Sequence, residues 1–195
     1  MKLELFYFNF PFWRAEVSRL ALHLGGIPFV SQHPDREMFR AMKASGELSF
    51  GQLPILKVDG KVIAQTGAIA RFCGKLSGHY PSDPFLAAKV DEVIDAATDV
   101  SVMISPTMRI RDADEKRAAR EQLANEKLPQ WLGYFDQILS LQESGYFVGG
   151  SLTIADIAIW RLMGWISGGI LDGIPKDILD PFTHLKAHFN TVASI

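Results

Sequence analysis

The residues from Phe50 to Arg71 carry the strongest chemical pattern in the sequence. Pro54 opens an apolar run, and because a proline cannot donate to a central ladder, it lies at a sheet edge or follows a cis peptide bond. A cis bond would turn the backbone N–H and C=O of Leu53 toward solvent, where an extended chain can add as a strand. The pattern therefore predicts a site for a peptide ligand.

Gln65 and Thr66 stand where a helix is predicted to begin. An amide, a hydroxyl and the free backbone N–H groups of a helix N-terminus together suit a carboxylate. Thr66 taken alone is also the kind of residue that simply caps a helix. The pair is therefore a candidate carboxylate site, with Thr66 as the predicted N-cap.

The first eighty residues alternate between strand and helix periodicities, which predicts an α/β domain. The order βαβ, α, ββα predicts one mixed four-stranded sheet with helices on its faces. Asp59-Gly60 favours a tight hairpin turn between the last two strands. The predicted strands are 3–8, 27–31, 53–58 and 61–64, and the predicted helices are 13–24, 36–45 and 66–76.

A polar stretch with two prolines, residues 77–84, predicts a linker between a domain at 1–76 and a second domain at 85–195. Beyond it only helical patterns occur, which predicts an all-helical bundle. Thr153 and Asp156 have the spacing of a capping box, so Asp156 is interpreted as structural. The predicted helices of the second domain are 85–108, 114–141, 153–167 and 182–193.

Composition excludes several classes of partner. The 20 basic and 22 acidic residues give a formal net charge of −2 without runs of like charge, so no nucleic-acid partner is expected. The most apolar stretch, residues 154–170, is interrupted by Asp156 and Arg161, so no membrane partner is expected. The single cysteine, Cys73, fits a reducing compartment, and we expect a cytoplasmic protein.

Three stretches, residues 7–16, 50–71 and 149–156, resemble the cytosolic glutathione transferases of the sigma class. Pro54 stands in the place of the family's cis-proline, and Gln65-Thr66 in the place of its usual Gln-Ser pair. The resemblance covers nearly the whole chain. It implies a thioredoxin-like domain that binds glutathione as co-substrate, followed by a helical domain.

Glutathione chemistry requires a thiolate, whereas an unperturbed thiol has a pKa near 8.5. One hydrogen bond to a charged acceptor contributes about 1.5–3 kcal/mol, or roughly one to two pKa units. The resemblance makes Tyr7 the candidate catalytic donor. Strand alternation places Tyr7 on the sheet face of Leu3 and Leu5.

The spacing of this region departs from the family pattern by one residue. In the sigma-like pattern the arginine follows the tyrosine by six residues, whereas Tyr7 and Arg14 are seven apart. An ungapped match would put Phe8, which has no hydroxyl, at the thiol. We interpret the intervening loop as one residue longer and Tyr7 as the catalytic residue.

The resemblance also implies the remaining glutathione contacts and a homodimer. In two-fold dimers of this family an aspartate of the partner often meets the γ-glutamyl amine, and Asp99 matches its place. Lys43 could equally be a solvated helix lysine, and Arg14 could support the loop rather than catalysis. The implied glutathione contacts are Arg14, Phe39, Lys43, Gln52, Leu53, Pro54, Gln65, Thr66 and Asp99.

Aromatic and methionine side chains suit small apolar electrophiles, although some of these residues would instead be ordinary core. The expected second-substrate pocket is lined by Phe10, Phe12, Trp13, Met103, Thr107 and Met108. The acidic stripe of Asp91, Asp95 and Asp99 could attract a divalent cation. However, Thr98 stands where some relatives have a second aspartate, and no metal is predicted.

The implied function is a glutathione transferase that attacks apolar electrophiles with the glutathione thiolate. One alternative is a glutathione-dependent prostaglandin isomerase, which needs the same thiolate and another pocket. A second alternative is a non-catalytic relative that binds ligands or serves as a lens crystallin. That alternative gains weight if Phe8, and not Tyr7, lies at the thiol.

Overall fold

The computed structural model describes all 195 residues and divides into two compact units, Met1–Pro84 and Phe85–Ile195. The predicted linker, residues 77–84, lies within the first unit. The strands of the first unit are β1 (Leu3–Phe6), β2 (Val30–Gln32), β3 (Ile55–Val58) and β4 (Lys61–Ala64), and its helices are α1 (Trp13–Leu24), α2 (Arg36–Ala44) and α3 (Thr66–Ser77).

The four strands form one mixed sheet in the order β2-β1-β3-β4. Strand β1 is parallel to β2 and antiparallel to β3, and β3 is antiparallel to β4. The predicted α/β class and the mixed four-stranded sheet are therefore confirmed. Strand β4 has its predicted bounds, whereas β1 ends earlier than predicted, at Phe6, and β3 begins later, at Ile55. Strand β2 begins three residues later than predicted and ends at Gln32.

Turn chemistry sets several of the element ends. Asp59 and Gly60 have φ values of 47° and 83°, as the predicted hairpin turn requires. Helix α2 starts after Asp35, whose side chain accepts a hydrogen bond from the backbone N–H of Met38 at 2.8 Å. A β-carbon on Gly25 would lie 2.4 Å from Cβ of Ser77, so a glycine allows α1 and α3 to approach closely at their ends.

The second unit is entirely helical, as predicted. It contains α4 (Pro84–Ile104, whose first residue closes the first unit), a 3₁₀ turn (Ser105–Arg109), α5 (Ala113–Asn125), α6 (Lys127–Ser140), α7 (Ile154–Ser167) and α8 (Thr183–Ala193).

The single helix predicted over residues 114–141 is wrong, since α5 and α6 are separated at Glu126. Pro129 explains the break. A proline has no N–H to bond the carbonyl four residues earlier, and its ring clashes with that carbonyl, here the carbonyl of Asn125. The chain therefore ends one helix at Asn125 and starts another at Lys127.

The capping box predicted at the start of α7 is present. Asp156 is fully buried and accepts hydrogen bonds from the backbone N–H and hydroxyl of Thr153 and from the backbone N–H of Phe147, each at 2.8 Å. Nε2 of His188, on α8, donates a fourth hydrogen bond at 3.0 Å. Asp156 therefore joins α7, α8 and the preceding loop, which agrees with its predicted structural role.

Candidate active site

Three strand ends meet at one edge of the sheet. Because β1 and β4 both run antiparallel to β3, Phe6 and Ala64 each pair with Ile55, the first residue of β3. The next residues along the chain beyond these strand ends therefore lie at the same edge of the sheet. They are Tyr7 after β1, Pro54 before β3 and Gln65 after β4.

The peptide bond between Leu53 and Pro54 is cis, the second of the two alternatives that the sequence left open and the one that the resemblance implies. The Leu53 side chain is buried in the hydrophobic core of the unit. Its backbone lies two residues before Ile55, where the ladders to β1 and to β4 both end. The backbone of Leu53 therefore belongs to neither ladder, as strand addition by a ligand requires.

Gln65 has φ 74° and ψ 126° and precedes α3. The only other non-glycine residue with positive φ is Asp59, in the hairpin turn, so Gln65 is the one case outside a tight turn. Such conformations cost of order 1–3 kcal/mol and are concentrated at functional sites. This backbone is therefore an independent reason to consider Gln65 a functional residue.

The prediction that Thr66 caps α3 is wrong. Gln65 occupies the N-cap position, its carbonyl accepts from the N–H of Ile69 at 3.0 Å, and no side chain caps the helix. Thr66 is instead the first helical residue. The N–H groups of Thr66, Gly67 and Ala68 consequently have no acceptor within the helix and are available to an anion.

A small concavity of about 30 Å³ lies at this helix start. Six of the predicted glutathione contacts line it, together with Phe50 and Ala64, which are not among the predicted contacts. The six are Arg14, Gln52, Leu53, Pro54, Gln65 and Thr66.

Tyr7 follows β1 directly and is only 5% exposed. Its backbone N–H donates to the carbonyl of Gln32 at 3.1 Å, and its hydroxyl has no hydrogen-bond partner within the protein. Burial raises the pKa of Tyr7 to about 12, against a smaller lowering by the positive charges of Arg14 and Arg19. Tyr7 is therefore a neutral hydroxyl donor at physiological pH.

His33, which the sequence analysis did not single out, supports the position of Tyr7. Its Nδ1–H donates to the carbonyl of Tyr7 at 3.2 Å, which assigns the proton to that nitrogen. The parallel pairing of β1 with β2 brings the two residues together. No short-range pattern in the sequence signals this contact.

Phe8 lies in a different environment from Tyr7. Its ring contacts Phe39 edge-on, at 5.3 Å between centroids, and lies parallel to the ring of Phe10, at 6.4 Å. Phe39 and Lys43 line a separate concavity with Phe8 and do not line the one at the start of α3. Lys43 still approaches the neighbouring loop, since its Nζ would lie 3.7 Å from a β-carbon on Gly51.

Two predicted second-substrate residues are corrected by their burial. Trp13 is fully buried at the start of α1, so its ring cannot line an open pocket. Thr107 is buried too, and its hydroxyl donates to the carbonyl of Ile104 at 2.8 Å and accepts from Nε of Arg120 at 3.1 Å. The remaining four are at least partly exposed: Phe10, Phe12, Met103 and Met108.

Asp99 is exposed on α4. No group of three or more His, Cys, Asp and Glu side chains is placed to hold a metal ion. No helix is both long enough and apolar enough to cross a membrane.

Known proteins with a similar sequence or structure were found over most of the chain. The profile described as "Glutathione S-transferase, N-terminal domain" matches residues 3–74, and "Glutathione S-transferase, C-terminal domain" matches residues 98–195. Glutathione S-transferase 1 of Ascaris suum is 30% identical over 185 residues, 92% of this chain and 85% of that protein. Probable glutathione S-transferase 6 of Caenorhabditis elegans is 32% identical, over 93% of this chain and 86% of that protein.

Solved structures agree with these sequence matches. Prostaglandin synthase D of Nilaparvata lugens superposes with a TM-score of 0.86 at 30% identity, covering 100% of this chain and 94% of that one. A monomeric glutathione S-transferase of Necator americanus gives 0.82 at 31% identity, covering 100% and 92%. With both domain profiles matched and relatives aligned over most of their length, the chain belongs to the glutathione S-transferase family, enzymes that use glutathione as co-substrate.

Proposed function

We propose that the chain is a glutathione transferase of the sigma-like, tyrosine type, in which the Tyr7 hydroxyl stabilises the glutathione thiolate. The observation that carries the proposal is the Tyr7 hydroxyl itself, which is protonated at neutral pH and has no hydrogen-bond partner within the protein, although the residue as a whole is buried. Its hydrogen is therefore available to an acceptor on a ligand, and a hydrogen bond to a charged acceptor is stronger than one to water or to a neutral group. A thiolate is an acceptor of the required charge.

In this proposal glutathione extends along the sheet edge from the start of α3. Its γ-glutamyl carboxylate accepts from the free N–H groups at Thr66, with Gln65 beside it, and its cysteinyl backbone pairs with Leu53. Arg14 lines the same concavity and forms no ion pair within the protein, so its charge is available to an anion. Gln52 and Lys43 serve the glycyl end, beside the ring of Phe39.

The proposed reaction is attack of the thiolate sulfur on an electrophilic carbon of an apolar substrate. A carbon–sulfur bond forms, the leaving group departs with its electron pair, and the thiol proton is released to solvent when the thiolate forms. Hydrogen bonding and proximity together supply the catalysis. Phe10 is 50% exposed, and its apolar surface supports an apolar second substrate.

Titration of the thiol of bound glutathione, followed by ultraviolet absorbance of the thiolate, tests the proposal. We expect a pKa of roughly 6.5–7.5 in the wild type and near 8.5 in Tyr7→Phe. Tyr134→Phe, which removes an exposed hydroxyl elsewhere, is the matched control and should titrate as wild type. A normal thiol pKa in the wild type, with depression only in Phe8→Tyr, contradicts the proposal and favours binding without turnover.

The similarity to prostaglandin synthase D of Nilaparvata lugens favours a second candidate, glutathione-dependent isomerisation of a prostaglandin endoperoxide. An isomerase regenerates glutathione in each cycle, whereas a transferase consumes it. Incubation with a prostaglandin endoperoxide therefore separates the two activities. Conversion of the endoperoxide at constant total glutathione supports isomerisation, and the absence of conversion excludes it.

We also propose a homodimer in which Asp99 of one subunit meets the γ-glutamyl amine bound by the other. The exposure of Asp99 on α4 is compatible with this role. Sedimentation should give a two-chain mass near neutral pH, and Asp99→Asn should raise the KM for glutathione without changing that mass. A monomer with unaltered KM in Asp99→Asn would exclude the arrangement.

A further inference from the structure

Arg120, on α5, is a buried cation without a carboxylate beside it. The residue is only 4% exposed. Its Nε donates to the hydroxyl of Thr107 at 3.1 Å, its Nη1 to the carbonyl of Asp172 at 3.5 Å, and its Nη2 to Sδ of Met108 at 3.0 Å. The carboxylate of Asp172 pairs instead with Arg117, at an exposed position. The guanidinium charge of Arg120 is therefore not neutralised by any acidic side chain.

The sulfur of Met108 is the weakest of the three acceptors that Arg120 has. A thioether sulfur accepts hydrogen bonds only weakly, whereas a charged donor forms its strongest hydrogen bonds with oxygen atoms that carry negative charge. A polar oxygen in the place of this sulfur would therefore give Nη2 of Arg120 a stronger partner.

The donor is held in place, whereas the sulfur can reorient. Gly173 has φ 87°, and a β-carbon there would lie 3.3 Å from Cβ of Arg120 and 2.7 Å from the carbonyl oxygen of Arg117, so the loop at Gly173 packs directly against α5. Met108 lies in the 3₁₀ turn and is 53% exposed. Its side chain has three rotatable bonds, and a small oxidant can approach it from solvent.

Oxidation of Met108 by a hydroperoxide would supply the polar oxygen. A lone pair of the sulfur attacks the terminal oxygen of the peroxide, the O–O bond breaks and an S–O bond forms. The proton of the attacked oxygen passes to the departing oxygen, which leaves as water or an alcohol. The sulfur is oxidised and the peroxide is reduced. Rotation about the Cγ–Sδ bond then directs the partly negative sulfoxide oxygen at Nη2 of Arg120.

We propose that Met108 is a modification site, which a peroxide converts to the sulfoxide and whose new oxygen accepts a hydrogen bond from Arg120. Methionine oxidation usually disrupts a protein, because it places a polar group in apolar surroundings. At Met108 the expected effect has the opposite sign, since the residue is half exposed and faces an uncompensated guanidinium. Oxidation there strengthens the attachment of α5 to the 3₁₀ turn, independently of Tyr7 and of glutathione.

The test treats the full chain and its Met108→Leu variant with dilute hydrogen peroxide. Peptide mass spectrometry locates the added oxygen, and thermal unfolding gives Tm before and after treatment. We expect oxidation at Met108 under conditions that oxidise Met38, which is 43% exposed on α2. Treatment should raise the Tm of the wild type by about 2–4 °C relative to Met108→Leu, as one stronger hydrogen bond does in a chain of this length. Oxidation of the other methionines is common to both proteins.

Glutamine variants test the role of Arg120 without peroxide. Met108→Gln supplies an amide oxygen at a similar distance from the backbone, so it should have a higher Tm than Met108→Leu. Met38→Gln and Met38→Leu are the matched control pair and should have equal Tm. The proposal is overturned if Met108 stays unmodified while Met38 is oxidised, or if oxidation at Met108 leaves Tm unchanged or lowers it. A Tm of Met108→Gln no higher than that of Met108→Leu overturns it as well.

Discussion

Asp156→Asn replaces a buried carboxylate that accepts four hydrogen bonds with an amide that can accept only at its single oxygen. Two donors sit at each carboxylate oxygen: Phe147 N–H and His188 Nε2–H at one, and the N–H and hydroxyl of Thr153 at the other. The amide NH₂ must face one of these pairs, so two hydrogen bonds to a charged group are lost. At about 1.5–3 kcal/mol each, the loss is about 3–6 kcal/mol.

For a chain of this size, 1 kcal/mol corresponds to a shift of about 2–4 °C in Tm, so we expect a decrease of roughly 6–24 °C. Thermal unfolding followed by circular dichroism measures it. Asp180→Asn is the matched control, because Asp180 pairs with Lys186 at an exposed position and such pairs contribute about 0–1 kcal/mol. A Tm for Asp156→Asn within about 2 °C of the wild type would refute the argument that this carboxylate holds α7, α8 and the preceding loop together.

Two further perturbations test other buried groups. Burial raises the pKa of Tyr7 from 10.0 to about 12, so spectrophotometric titration to about pH 11 should give a tyrosinate step of equal height in wild type and Tyr7→Phe. A smaller step in the variant would mean that Tyr7 ionises below about pH 11. The unfolded chain releases the proton of the Tyr7 hydroxyl near pH 10, whereas the folded chain retains it until about pH 12. The free energy of unfolding therefore decreases as pH rises from about 10 to about 12, and Tyr7 does not change it below that range. Arg120 is buried with only a hydroxyl, a carbonyl and a thioether as partners, so Arg120→Met should cost less than about 2 kcal/mol in urea unfolding, because no buried carboxylate loses its partner. Arg120→Ala, which also removes the aliphatic stem, should cost more, and a loss of equal size in both variants would contradict this reasoning.

The sequence predicted the elements whose causes are local. The hairpin follows from Asp59-Gly60, the two periodicities separate the α/β unit from the helical one, and the α7 capping box follows from the Thr153–Asp156 spacing. The break between α5 and α6 is local as well. Pro129 lies four residues after Asn125, and this spacing alone could have predicted the end of α5 at Asn125.

The parts of the site that the sequence did not predict depend on tertiary packing. Trp13 and Thr107 have side chains that suit a pocket, but only the folded chain shows that both are buried. His33 reaches the carbonyl of Tyr7 through the pairing of β2 with β1, which has no short-range signal. The residue type of Gln65 likewise gave no signal of its unusual backbone, which makes Gln65 rather than Thr66 the N-cap of α3.

The backbone of Leu53, free beyond the ends of both ladders, has a consequence for how a catalytic cycle would end. Hydrogen bonding through backbone N–H and C=O groups depends on the spacing of a peptide main chain and not on chemical changes to its side chains. A tripeptide whose sulfur has been alkylated presents the same main-chain groups and the same terminal carboxylates as the free thiol, and it gives up only the contact with Tyr7. In the proposed function the conjugate would therefore compete with fresh glutathione for the same site, and turnover would slow as the conjugate accumulates.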